Sequence, residues 1–263
     1  MQRVEPSGGA IYYQFEQWAN EPALKHAIFT RLGGSSQAPF ATLNVGSTVG
    51  DDPAHVRANL SKIYETLSMD GRCACTVWQV HSADCIVVER PHPTQSWLAQ
   101  ADGMVTNRPN LPLIMRFADC VPILLYDPKR RAIGIGHAGW RGTVGGMAQS
   151  LLHMMKAAYG TQPADVQAAI GPSISAARYQ VGQEVVQAVA SALGGADGLI
   201  HRDEHGHSYF DLWEANRRAL EHAGVRQIEM SGLCTATHTH EFYSHRAENG
   251  KTGRFAAVFM LRG

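Results

Sequence analysis

Apolar positions along the chain recur in two periods, and the two periods divide it into elements. Four segments repeat at helical spacing. In "DDPAHVRANLSKIYETL" Pro53 suits a first helical turn, and Val56, Leu60, Ile63 and Leu67 fall on one stripe. The run after Gly142 sets Val144, Met147, Leu151, Met154 and Ala158 on one face and stops at Gly160. A third segment spans Gln183 to Leu193, and a fourth opens on a capping box, Asp211 with Glu214, and closes at Gly224. Between them lie short β-rich runs: "HAIFT", "CTVWQVH", "CIVVE", "GMVTN", "LPLIMRF", "VPILLYD", "RAIGIGH", "VQAAIG", "QIEMSG" and "FAAVFML". Strands outnumber helices by more than two to one, so a doubly wound βαβα order is disfavoured. The pattern predicts a mixed α/β (α+β) chain with sheets of mixed direction and helices outside them. Runs such as "VPILL" lack alternation and are expected to be covered on both faces.

Composition narrows the picture. The chain has 263 residues, with 23 basic and 23 acidic side chains, so no basic excess points to a nucleic acid or a membrane surface. No repeat, low-complexity tract or Pro/Ser-rich linker divides it, and residues 1–263 read as a single domain, a monomer or weak homodimer. The start lacks a positive-then-apolar leader, and no window approaches the roughly 18 apolar residues of a spanning helix; a cytoplasmic protein is expected. Five cysteines, an odd and sparse set, suit reduced thiols rather than a disulfide frame. Thirteen histidines justify a search for metal spacing.

Several motifs are weaker than they look. "GIGHAG" (Gly134, Gly136, Gly139) matches the dinucleotide fingerprint, but "VQAAIGP" ends in Gly171 and Pro172 where a Rossmann unit needs an acidic residue. "ENGKTG" would need its leading glycine at His245 and reads as a turn. Cys73 and Cys75 have no partner pair to complete a four-ligand zinc site. The pairs His205/His207 and His238/His240 read as loop histidines.

Three short motifs share a grammar: "WQVHS" with His81, "FADCVP" with Cys120 and "GHAGWRG" with His137. Each sets a soft or borderline donor where an apolar run gives way to a turn. Were those runs neighbouring strands, about 4.8 Å apart, the three side chains would converge. Two imidazoles and a thiolate are the ligand count of a catalytic zinc site, which keeps a fourth position open. Spacing alone leaves other readings: a blue-copper set, or Cys120 and His137 as nucleophile and base.

"QVH", "ADC" and "HAGWRGT" occur together and in this order. With "FTRLGGSS", "LNVGSTVGDDPAHVRANL", "AIGPSISAARYQVGQEV" and "CTATHTHEFYSHRAENGKTGRFAAV", the chain resembles, over nearly its whole length, the YfiH family. Its members are also described as multicopper polyphenol oxidase (laccase-domain) proteins, purine nucleoside phosphorylases and peptidoglycan editing factors. The resemblance implies a layered α/β/β/α fold and a zinc ion, with copper as the alternative, held by His81, Cys120 and His137. It implies phosphorolysis of adenosine, inosine and methylthioadenosine, with adenosine deamination as a second activity. Purine nucleosides and phosphate would be the small-molecule partners. Arg31, Arg141 and Arg246 lie in family motifs and offer guanidinium forks for phosphate. Asp119, beside the thiolate, could orient a ligand or accept a proton. Where the family usually reads "FFSYRR" this chain reads "FYSHRA", so His245 and Ala247 alter the pocket's neighbourhood. The alternatives carried forward are a copper-dependent polyphenol oxidase, a Cys/His hydrolase acting on a peptidoglycan precursor, and a zinc-stabilised binding module.

Overall fold

The computed structural model describes residues 1–92 and 96–263. Two large sheets organise them. In the first, β1 (Gln2–Val4), β2 (Tyr12–Gln14), β3 (Leu24–Phe29), β14 (Phe255–Leu261) and β6 (Leu113–Phe117) lie in that order, each antiparallel to its neighbour. The second runs β13 (Gln227–Met230), β9 (Gln167–Ile170), β7 (Val121–Asp127), β8 (Ala132–Ala138), β5 (Gly103–Thr106) and β4 (Cys85–Val87). Its two outer pairings are parallel and its three inner ones antiparallel, the mixed direction that the strand-heavy pattern predicts. A small antiparallel ribbon joins β10 (Gln180–Val181), β12 (Ser208–Phe210) and β11 (Ile200–Arg202).

Strand alternation sorts the core into three slabs. Leu124 and Tyr126 of β7 and Ile133 and Ile135 of β8 pack between the sheets against Leu113, Met115, Phe255, Ala257 and Phe259. The opposite faces of β7 and β5, with Ile123, Leu125 and Val105, pack on α3 (Met147–Tyr159) and α5 (Leu212–His222). The outer face of the first sheet, with Phe29, Ile114 and Val258, is covered by α1 (Pro53–Thr66) through Ile63 and Leu67. The order is therefore α/β/β/α. All seven residues of β7 are buried, which is why "VPILLYD" shows no alternation: helices cover one face and a second sheet the other.

Some elements differ from their sequence reading. The helical run after Gly142 is two helices, α2 (Trp140–Val144) and α3, because Gly145 and Gly146 separate them and Gly146 is left-handed at φ +83. Its buried stripe ends on Met155 rather than Ala158. On α1 the stripe admits a polar residue, Asn59, fully buried beside Val56 and Ile63. Residues 75–81 form no regular strand; Cys75 and Trp78 make only isolated bridges, to Leu113 and Gln100. α4 (Gln183–Ala192) forms as read, and Asp211 caps α5 by accepting from the Glu214 N–H at 2.9 Å. The G-x-G of β8 is a packing device: a Cβ on Gly136 would lie 2.7 Å from Leu151, and one on Gly134 would lie 3.2 Å from Met155. Among the described residues no helix is long and apolar enough to cross a membrane.

Candidate metal centre and its cleft

The register of the second sheet builds the site. His137 shares strand parity with Ile133 and Ile135, so its ring faces the space between the sheets. On one flank Pro122 pairs with His137, which sets Cys120, two residues earlier, diagonally beside it on the same face. On the other flank Gly103 pairs with Gly136, so Asp102 stands opposite His137 and its carbonyl accepts the His137 N–H at 2.8 Å. Cys120 lies in the short link by which the chain leaves the first sheet at Phe117 and enters the second at Val121.

His81 arrives differently. It sits in a turn, with φ +63 in the left-handed region, and Asp102 fixes that turn from both sides. Asp102 Oδ2 accepts from the Val80 N–H (3.0 Å), the Ser82 N–H (2.7 Å) and the Ser82 hydroxyl (3.1 Å), while Oδ1 pairs with His137 Nδ1 at 2.8 Å. One fully buried carboxylate thus orients both imidazoles, and the nitrogen of His137 left for a ligand is Nε2. The donor atoms of His81, Cys120 and His137 lie within 4.8 Å of one another, the one such group of three among the described residues. Gly139 leaves room for them: a Cβ there would lie 2.9 Å from Cys120 Sγ and 3.4 Å from the His81 ring.

The electrostatics prepare a soft cation site. Burial pushes the Cys120 thiol up, but the His137 imidazolium and hydrogen bonds from His137 and His81 more than offset it and bring it down to about 6. For His137, burial acts downwards, while the Cys120 thiolate and Asp102 raise it to about 9. Each of the two groups favours the charged form of the other, and a cation entering there takes the place of the imidazole proton. Two imidazoles and one thiolate, pre-oriented and cleared by a glycine, fit a divalent ion with one further position open.

The donors form the floor of a cleft of about 450 Å³. Arg141 lies over the Trp140 ring at 4.4 Å and Arg246 over Tyr179 at 5.1 Å, and both line it. Trp78, 45 % exposed, meets Trp97 at 4.4 Å between centroids on its wall, and His245 lines it too, whereas Ala247 does not. Arg31 is elsewhere. Its guanidinium donates to the carbonyls of Ala41 (3.0 Å) and Thr239 (2.8 Å) and to Glu248 (2.9 Å), and it covers Tyr243 at 4.4 Å, so it ties loops together instead of facing the cleft. Asp119, at φ +85, is largely buried on the cleft wall, and its side-chain hydrogen-bond partners lie outside the three donors. Its carboxylate accepts from the Thr235 hydroxyl and the Arg246 N–H, both at 2.6 Å, and so fixes the loop that carries Arg246. The His205/His207 pair lies exposed on the ribbon, and His238 binds the Cys234 carbonyl; neither joins a metal-binding group. All five cysteines are free.

Sequence reasoning missed Asp102, Arg116 and Arg254. Asp102 gives no signal until the β5–β8 register is known, whereas Arg116, a lone charge inside the apolar run "LPLIMRF", could have been found as one.

Residues 25–262 match the family model described as "Multi-copper polyphenol oxidoreductase laccase". The purine nucleoside phosphorylase of Bacteroides thetaiotaomicron is 34% identical over 94% of this chain and 95% of its own. Purine nucleoside phosphorylase YlmD of Bacillus subtilis is 37% identical over 94% and 93%. Among solved structures, YlmD from Geobacillus stearothermophilus superposes with a TM-score of 0.91 at 33% identity, and the hypothetical protein YfiH of Bacillus licheniformis with 0.90 at 35%, each covering 99% of both chains. A match of this extent in both sequence and layering identifies the chain as a member of the laccase-like YfiH family.

Proposed function

We propose that the whole chain is one zinc-dependent purine nucleoside phosphorylase acting on adenosine, inosine and methylthioadenosine in the cytoplasm, with adenosine deamination as a second activity. The observation that carries this reading is the His81–Cys120–His137 floor under a cleft lined by arginines and aromatic rings. Relatives named purine nucleoside phosphorylase at 34% and 37% identity support it. Zinc suits the donor set better than a blue-copper centre. The sulfur that might have served as axial ligand, Met147, packs in the helix-side core on the far face of β8.

In phosphorolysis a phosphate oxygen bonds to C1′ as the C1′–N9 bond breaks, and the departing purine takes up a proton. The work is positioning and charge stabilisation. A divalent ion, which His81, Cys120 and His137 would hold, would supply Lewis acidity for either reaction. Arginine side chains in the cleft gather the phosphate, and the exposed Trp78 on its wall offers a flat face to a purine. Asp102 holds His137 and the His81 turn, and Asp119 holds the Arg246 loop. The protein as purified is expected to carry about one zinc per chain and to release base from adenosine only when phosphate is present. Cys120→Ser and His81→Ala are expected to abolish both metal and turnover; full turnover in either variant refutes the reading.

One observation favours a second reading. Asp102, His137 and Cys120 form a relay in which an oriented imidazole faces a thiolate, the arrangement of a cysteine hydrolase acting on a peptidoglycan precursor. That chemistry has no use for His81. Alkylation of Cys120 by iodoacetamide, blocked by a muropeptide and indifferent to zinc, would support it.

A further inference from the structure

Two of the arginines that line the cleft, Arg116 and Arg254, are partly buried and have no ion-pair partner among the described residues. Arg116, near the end of β6, pairs with Ala256 of β14, and Arg254 stands two residues before Ala256. On one sheet face such diagonal neighbours are about 7–8 Å apart. Both line the cleft. Arg116 spends Nε on the Val45 carbonyl (2.9 Å) and Nη1 on the Thr76 hydroxyl (2.7 Å); Arg254 spends Nη1 alone, on the carbonyls of Thr252 and Gly253. Among the described residues, neither has a carboxylate within 4.0 Å, unlike Arg31 with Glu248 or Arg3 with Glu241. Burial works against the charge of both, which guanidinium nevertheless retains. Arg254 also lies close enough to Cys120 and Asp119 to feel their charges.

Hydrogen bonds hold the backbone around the pair. Asn44 Oδ1 accepts from the Arg254 and Gly46 N–H groups, both at 2.8 Å, and the Val45 N–H donates to the Arg254 carbonyl at 3.0 Å. A Cβ on Gly46 would lie 2.8 Å from the Arg254 side chain, so the loop is pressed against the guanidinium stem. Beyond it Ser47 and Thr48, both exposed, line the same wall.

We propose that Arg116 and Arg254, with the Ser47–Thr48 wall, form a built subsite for a phosphate dianion, and that the anion bound there is the inorganic phosphate co-substrate. The subsite rests on the phosphorylase reading for the anion's identity, and on geometry for its existence. Nη2 of Arg116 and Nε and Nη2 of Arg254, which have no hydrogen-bond partner among the described residues, provide the donors, and hydroxyls complete the shell. Arg141 and Arg246, spread over Trp140 and Tyr179 at the rim, are then left to the nucleoside.

The test compares wild type, Arg254→Gln, Arg254→Lys, Arg116→Gln and Arg141→Gln in steady-state phosphorolysis, with calorimetric titration of inorganic phosphate and of adenosine 5′-monophosphate. Loss of a charge-assisted contact should raise the phosphate KM by about tenfold to a hundredfold in Arg254→Gln, partly rescued by Arg254→Lys, with the nucleoside KM within about twofold. Arg116→Gln also loses its bonds to Val45 and Thr76, so Arg254 carries the decision if that variant does not fold. Unchanged phosphate KM in Arg254→Gln with a rise in Arg141→Gln overturns the subsite and leaves the phosphorylase reading intact. Phosphate binding without any turnover, abolished by Arg254→Gln, keeps the subsite and discards the phosphorylase. Tight binding of the monophosphate with none of free phosphate overturns the assignment to a co-substrate, and no heat from either overturns the subsite altogether.

Discussion

Replacing Asp102 by Asn tests the centre at the atom that organises it. The carboxylate accepts four hydrogen bonds, one at Oδ1 from His137 and three at Oδ2 from Val80 and Ser82. An amide of the same shape has a single acceptor oxygen. If that oxygen turns to His137, the NH₂ confronts three donors, each left unsatisfied at about 1–3 kcal/mol. The opposite orientation wins: the oxygen keeps Val80 and Ser82, and the NH₂ donates to His137 Nδ1. Nδ1 must then be unprotonated and the ring proton moves to Nε2, the nitrogen that a metal needs. The variant should fold, because the His81 turn keeps its anchor, yet lose about 10–100-fold in zinc affinity, or about 1.4–2.8 kcal/mol. Competition with a chromophoric chelator at neutral pH reads the affinity, and thermal denaturation checks the fold. Ser82→Ala, which removes the 3.1 Å hydroxyl contact to Asp102 and the bond accepted from the Asp84 N–H but leaves the Val80 and Ser82 N–H groups on the carboxylate, should change affinity little. Wild-type zinc affinity in Asp102→Asn would falsify the claim that this carboxylate sets the His137 tautomer.

Three further outcomes are expected. Gly139→Ala, whose backbone at φ −73 accepts alanine without strain, puts a methyl 2.9 Å from Cys120 Sγ. It should lower metal content at least about tenfold while unfolding stays near wild type; normal metal content in the purified variant would count against the centre. Asn59→Ala removes three donated bonds, to the Ser36 hydroxyl and to the Thr42 and Asn44 carbonyls, and two accepted from the Ser35 N–H and hydroxyl. A loss of about 3 kcal/mol or more in urea unfolding should follow, and a loss below about 0.5 kcal/mol would contradict it. His26 is buried, which pushes its imidazole down to about 4, and its Nε2 accepts from the Phe15 N–H. Its folded value lies below the unfolded 6.5, so its contribution is full above pH 6.5 and is lost as pH falls towards 4, by about 3 kcal/mol. The stability difference between wild type and His26→Gln should narrow by that amount between pH 7 and pH 4, and parallel profiles would show that His26 does not titrate on unfolding.

Sequence made the layering legible because burial on two faces erases alternation, and that erasure is itself a pattern, as in "VPILLYD". Cys120 and His137 were legible for the same reason: a lone donor at the end of such a run sits where a strand must surface. His81 was legible as a residue but not as a position. It reaches the others through a left-handed turn held by Asp102, and no periodicity encodes that. Asp102 itself was invisible, since its importance lies in facing His137 across a pairing between strands some thirty residues apart. Arg31 misled in the opposite direction: it sits in a family motif, but its partners, Thr239 and Glu248, come from the far end of the chain. The glycines of "GIGHAG" advertise close approach, and only the packed structure tells that Met147, Leu151 and Met155, not a pyrophosphate, are what approach.

Cys120 hangs from the joint where one sheet hands the chain to the other and His137 from the strand beside it, whereas much of the wall around them, from Ser47 and Thr48 to Trp78 and His245, comes from surface turns that the slabs of the interior do not use. Donors and wall are therefore written in separable parts of the sequence. An exchange at an exposed wall residue such as His245 would reshape the mouth of the cleft without disturbing either the three donors or the packing that keeps the protein folded.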